Sequence, residues 1–207
     1  MRTTRHIRAA GALVLAALAS GCGHPAPAVP KAAEPAPAFR RAAADGTVYD
    51  LAGLKGKWVV LEWYDRKCPC SRKHYDTGNM QKLQEAYTAK GVVWLTVCST
   101  APGQQGFLPA KLVLQFAKSE GSRATGVLMD PDGSMARAYG IRATLHMLVI
   151  DPEGGLAYSG AIDDIRSMDP QAVPLAHNYV AAALDAGLAG REIAVPRTKP
   201  YGCAVKY

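Results

Sequence analysis

The chain has 207 residues, 49% of them hydrophobic and 20% charged, with a formal net charge of +7 at pH 7. That is enough chain for one compact domain with a real core, and not obviously for two. The charge overstates the folded part, because Arg2, Arg5 and Arg8 sit in a leader without acids; no basic run or aromatic stripe remains, which excludes a nucleic-acid interface.

The leader comes first in chain order. Its arginines precede a short apolar stretch, Ala9 to Leu18, too brief for a permanent membrane span. Ala19-Ser20-Gly21-Cys22 then resembles a bacterial lipobox, cut just before a cysteine that receives lipid. Residues 1–21 are therefore expected to be a lipoprotein signal peptide, with Cys22 lipidated; the plainer alternative is an ordinary cleaved signal with Cys22 as a spare thiol. Either reading exports the chain to the cell envelope, facing the periplasm or the extracytoplasmic side. Residues 22–38 carry five prolines among alanines and read as an extended tether. The domain is expected over 39–207.

Within it, Val48 to Leu51 is a short strand candidate, and Trp58 to Trp63 an apolar strand covered on both faces. Ser71 to Lys90 reads as one long helix, with Met80, Leu83 and Tyr87 on one side and Gly91 as its stop. Val92 to Val97 follows as a strand, Pro109 to Ser119 as a helix, Val127 to Met129 as a strand and Met135 to Tyr139 as a helical piece. Met147 to Ile150 and Leu156 to Tyr158 flank a turn, as in a hairpin, and Asn178 to Leu188 is a last helix. This alternation predicts an α/β fold, a mixed sheet with helices on both faces. The loop from Ser99 to Leu108 reads as an exposed insertion near the functional edge.

Five cysteines in an exported chain point to disulfide chemistry. With Cys22 assigned to lipid, Cys68, Cys70, Cys98 and Cys203 remain, and they allow three complete pairings. Cys68 stands between a strand and a helix N-terminus, where free N–H groups favour a thiolate, and Arg66, Lys67, Arg72 and Lys73 add positive charge. Cys98 ends a strand expected to lie parallel to the one before Cys68, which brings it to the same sheet edge; equally, it is a small buried hydrophobe.

Several strings now resemble a known group. Ala44-Asp45-Gly46-Thr47 through Gly56-Lys57-Trp58-Val59-Val60-Leu61-Glu62-Trp63 and Cys68-Pro69 are similar to the start of a redoxin domain, the AhpC/TSA, peroxiredoxin-like group of the thioredoxin-fold superfamily. Met129-Asp130-Pro131-Asp132-Gly133, Ala138-Tyr139-Gly140 and His146 to Gly154 resemble its later strands, and Tyr201 to Tyr207 the closing segment of one branch. The resemblance implies a thioredoxin-like fold, with Cys68 as the nucleophilic or peroxidatic cysteine and no bound cofactor. Ser71 stands where a thioredoxin has its second cysteine, and Asp65 where a peroxiredoxin has Thr or Ser. Thr144-Leu145-His146 carries neither the peroxiredoxin arginine nor the thioredoxin cis-proline, although Arg142 is near enough to substitute.

Cys68 is thus the expected nucleophile of a thiol oxidoreductase, acting on a thiol or disulfide protein or a peroxide, with a thioredoxin-like electron donor. Cys70, Cys98 or Cys203 would resolve the intermediate. A Cys68–Cys70 bridge closes a small strained ring, whereas Cys203 lies in a tail that can fold back over the site or merely be stapled down. The alternative is a Cu(I) chaperone using Cys68, Cys70 and His146; His74 could instead cap or decorate the first helical turn. Trp63 and Tyr64 would shield the thiol, and Glu62 reads as a solvated strand residue or a buried acid for proton transfer.

Overall fold

The computed structural model of the protein describes residues 33–207. The signal peptide and Cys22 lie outside the described residues. From the N-terminus the elements are β1 (Arg40–Ala42), β2 (Val48–Asp50), β3 (Val59–Trp63), α1 (Pro69–Asp76), α2 (Asn79–Thr88) and β4 (Val93–Cys98). They continue with α3 (Ala110–Ser119), β5 (Gly126–Met129), α4 (Ser134–Ala138), β6 (Met147–Ile150), β7 (Leu156–Gly160) and α5 (Tyr179–Leu188).

The run Val59 to Trp63 becomes the middle of a five-stranded sheet ordered β5-β4-β3-β6-β7. All five of its residues are buried, as an apolar strand with both faces covered requires. It pairs parallel with β4, Trp63 opposite Val97, and antiparallel with β6. The crossover from β3 to β4 is α1 and α2, so both parallel strands end at one edge of the sheet.

Strand alternation divides the core. Val60 and Trp94 face Met80 and Tyr87 of α2 and Val180 and Leu184 of α5, whereas Leu61, Trp63 and Val97 face Leu51, Met135 and Ile141. Each such side chain contributes about 1.5–3 kcal/mol by leaving water. The expected α/β sheet with helices on both faces is the one observed.

Two boundaries differ from expectation. The single helix from Ser71 to Lys90 is two helices, because Gly78 takes a left-handed φ of 71° and the Thr77 hydroxyl donates to the Lys73 carbonyl at 2.8 Å. Residues 34–37, expected in the tether, are joined to the domain: Ala36 N–H donates to Gly154, Leu156 N–H to Glu34 and the Tyr139 hydroxyl to Pro37.

Candidate active site

The backbone leaves β3 at Trp63 and turns through a bend in which Asp65 accepts from the Lys67 and, through its carbonyl, the Cys68 N–H. Asp65, at the peroxiredoxin Thr position, therefore builds the turn that presents the sulfur. Cys68 adopts an extended conformation as the residue before α1, and Pro69 opens the helix, where its missing N–H is no loss. The Cys68 side chain is fully buried.

What covers it is the C-terminal tail. Ala204 pairs with Ala143 as an antiparallel bridge, Thr144 N–H donates to the Cys203 carbonyl at 2.8 Å and Val205 N–H to Arg142 at 3.1 Å. This lays Cys203 over Cys68, with the Cys203 N–H 3.3 Å from the sulfur and the Thr144 hydroxyl 3.0 Å from it. Leu145 has a φ of 55°, alone among the described non-glycine residues in being positive, and its N–H donates to Trp63. A leucine held there stores about 1–3 kcal/mol, and Thr144, the residue before it, presents its hydroxyl to the thiol.

The electrostatics follow from these contacts. Burial pushes the Cys68 thiol up, but donors from Cys203, the Thr144 hydroxyl and the Ser71 and Cys203 N–H groups outweigh it, so the net shift is downward. No guanidinium or ammonium is among those groups. Three of the four basic residues expected to help are engaged elsewhere, and Lys67 is exposed. Arg66 and Arg72 pair with Glu120 at 3.0 and 2.6 Å, Arg72 also meets Asp76, and Lys73 is buried against Asp163. Arg142 is exposed and does not reach the sulfur by a hydrogen bond. Hydrogen bonds, not cations, favour this thiolate.

Of the other thiols, Cys70 is half-buried and raised by burial and then by the neighbouring Cys68, and Cys203 is pushed up to about 12 by burial and by Cys68. Cys98 is not brought to this group. It lies on the α1–α3 side of the sheet with Tyr64, Tyr75, Leu108 and Phe116, and burial, then Glu62, Asp65 and Glu120, push it up to about 12.

The Cu(I) set is not assembled. The His146 imidazole bonds Ser159 at 2.9 Å and burial lowers it to about 4, and among the described residues no three His, Cys, Asp or Glu side chains converge to hold a metal. His74 neither caps nor decorates a surface turn. It is fully buried and pushed down to about 3 by burial and Lys73.

Glu62 is not solvated. It is fully buried and accepts from the Tyr75 hydroxyl at 2.7 Å, Trp94 Nε1 at 2.8 Å and Gln84 Nε2 at 3.0 Å, with Thr96 at 3.4 Å. Burial raises its pKa despite those four donors. Its partners lie on the face of the sheet that α1 and α2 cover, and none is Cys68. Trp63 packs in the core of the opposite face, its Nε1 donating to Ser99 at 3.0 Å, while Tyr64 donates to Glu120. Thr144 is the site residue that sequence reasoning passed over; its signal was a hydroxyl in the short string where the family places its site-facing loop.

Comparison with known proteins agrees with this architecture. The redoxin family model matches residues 31–174. No curated protein matches the chain. Among solved structures, an uncharacterised conserved protein from Geobacillus kaustophilus is 23% identical with a TM-score of 0.73, covering 87% of this chain and 94% of its own. A hypothetical protein from Sinorhizobium meliloti is 22% identical with a TM-score of 0.72, covering 86% and 94%. A thiol:disulfide interchange protein of the thioredoxin family from Chlorobium tepidum is 22% identical with a TM-score of 0.50, covering 68% and 92%. These likenesses establish the thioredoxin-like fold.

Proposed function

The chain belongs to the redoxin family, and we propose that this thiol oxidoreductase works by thiol–disulfide exchange at Cys68, with Cys203 as the resolving thiol. The observation that carries the reading is the convergence of the Thr144 hydroxyl and the Cys203 backbone on one buried sulfur whose pKa is lowered.

The cycle balances as follows. The tail opens, and the Cys68 thiolate attacks one sulfur of a disulfide R–S–S–R′, forming a mixed disulfide while R′–S⁻ departs and takes a proton. The negative charge on Cys68 is now gone. After burial, that charge and its hydrogen bond are the largest influences raising Cys203, ahead of Cys70 and Asp65, so forming the mixed disulfide itself eases ionisation of the second thiol. Cys203 then attacks the Cys68 sulfur, R–S⁻ leaves, and a Cys68–Cys203 disulfide remains. The substrate has gained two electrons, and an external dithiol protein restores the cysteines.

Cys70 is the less favourable resolver, because two cysteines one residue apart close a strained ring. The export signal read in the leader puts this chemistry in the envelope, tethered through Cys22. The test is turnover of a protein disulfide such as that of insulin, with dithiothreitol as electron donor. Full-chain protein is expected to accelerate it, Cys68→Ser to abolish it and Cys203→Ser to slow it. Hydrogen peroxide consumed faster than any disulfide, with a sulfenic acid trapped at Cys68, would replace this reading with a peroxidase.

A further inference from the structure

The tail is held beside Cys68 by something other than its strand pairing. Tyr201, two residues before Cys203, is 4% exposed, and its hydroxyl donates to Asp163. Around that contact lie Lys73 and His74, both fully buried. Lys73 Nζ donates to the Tyr201 hydroxyl at 3.3 Å and to the Ile165 carbonyl at 3.1 Å, and is ion-paired with Asp163 Oδ2 at 3.6 Å. His74 Nε2 is 3.4 Å from the same hydroxyl and 3.5 Å from Asp163, while its Nδ1 meets Asn79 at 2.8 Å. Asn79 Nδ2 donates to Nδ1, which leaves the His74 proton on Nε2, pointing into the cluster.

A buried ion pair with one phenol completing it is a costly way to stabilise a fold, and apolar residues would serve at least as well. What it supplies is a defined geometry, because the phenol fits only where both partners reach it. Lys73 and His74 belong to α1, the helix that Cys68 precedes. The cluster therefore fixes the tail to the very element that carries the nucleophile.

We propose that Tyr201 is a positioning residue, locking the tail to α1 through Asp163 and Lys73 so that Cys203 both covers Cys68 and stands ready to resolve it. This rests on the resolving role of Cys203. It adds a residue and a device: the catch that sets how often the lid over the nucleophile lifts and how quickly the second thiol returns. At its far side the tail is held by Tyr207, whose hydroxyl donates to Ile141, and around Cys203 by the backbone bonds to Thr144 and Arg142, so release at Tyr201 loosens one edge of the lid and leaves the rest attached.

The test compares full-chain wild type, Tyr201→Phe and Asp163→Asn. Two quantities are read: iodoacetamide alkylation of Cys68 relative to Cys98, and, after addition of oxidised glutathione, the conversion of the Cys68–glutathione mixed disulfide to Cys68–Cys203. Loss of one hydrogen bond to a charged partner corresponds to about a tenfold effect or more. Tyr201→Phe is expected to expose Cys68 about tenfold more with Cys98 unchanged, and to slow ring closure about as much. Asp163→Asn keeps the shape of the cluster and is expected to move both quantities the same way, which keeps the test intact if one variant folds poorly. Wild-type values for both quantities overturn the proposal, as does equal exposure of Cys68 and Cys98, the mark of general loosening. A wild-type chain that closes Cys68–Cys70 instead contradicts the resolving role of Cys203; the catch is then decided by the alkylation ratio alone.

Discussion

The Thr144 hydroxyl meets the Cys68 sulfur at 3.0 Å although 76 positions separate the two residues. The contact depends on the left-handed turn at Leu145 and on the antiparallel tail beyond Thr144, so it belongs to the fold and not to any local motif. A hydroxyl that donates to a thiolate stabilises the charged form alone.

Thr144→Val removes that donor at nearly constant volume. The Cys68 pKa is expected to rise by about one unit or more, given about 1.5–3 kcal/mol for a hydrogen bond to a charged group. Thiolate absorbance followed against pH reads this directly. Thr144→Ser keeps the hydroxyl and is expected to leave the titration close to wild type; equal titrations for the valine variant and wild type would remove Thr144 from the mechanism.

Gly202 has a φ of 138°, and a Cβ built there lies 2.3 Å from the Thr144 carbonyl oxygen. Gly202→Ala must therefore push the tail off the Ala143–Thr144 edge, at a cost of about 1–3 kcal/mol. Faster alkylation of Cys68 with unchanged helix content by circular dichroism is the expected result. Protection equal to wild type would mean that the tail seats in some other way.

Acid sensitivity has a defined sign at His146. Its pKa is lowered to about 4 in the fold, against about 6.5 unfolded. Between those values the unfolded chain binds the extra proton, so stability declines as pH falls, by about 1.4 kcal/mol per pH unit, and the decline ends near the folded value. Urea titrations are expected to show wild type losing about 2 kcal/mol more than His146→Gln between pH 6.5 and pH 5. Parallel pH profiles would contradict burial of a neutral imidazole.

Much of this site was legible locally, and the rest was not for a physical reason. Cys68 stood out because an apolar strand, a Cys-Pro step and an amphipathic run are all short-range signals. Glu62 did not, because a carboxylate within a strand reads as a solvated face until Tyr75, Gln84, Trp94 and Thr96 are known to converge on it. Lys73 likewise added its charge to the thiol in sequence and to Asp163 in space. The break at Thr77-Gly78 was written in the chain, but apolar periodicity carried across it masked the turn.

The Glu62 network makes its own prediction. Glu62→Gln turns an amide donor towards groups that are themselves donors, and is expected to destabilise the fold by about 1–3 kcal/mol in urea unfolding. The Cys68 titration is expected to stay in place, since no Glu62 partner touches that sulfur. A shifted Cys68 titration would restore Glu62 to the proton-transfer role.

The most direct measurement maps the disulfide itself. The reduced full-length protein is treated with one equivalent of a protein disulfide, quenched with acid, and digested for mass spectrometry. A bond between Cys68 and Cys203, with Cys70 and Cys98 left as thiols, is the predicted result. A Cys68–Cys70 or Cys98–Cys203 bond, or a Cys68 that remains reduced, contradicts the account.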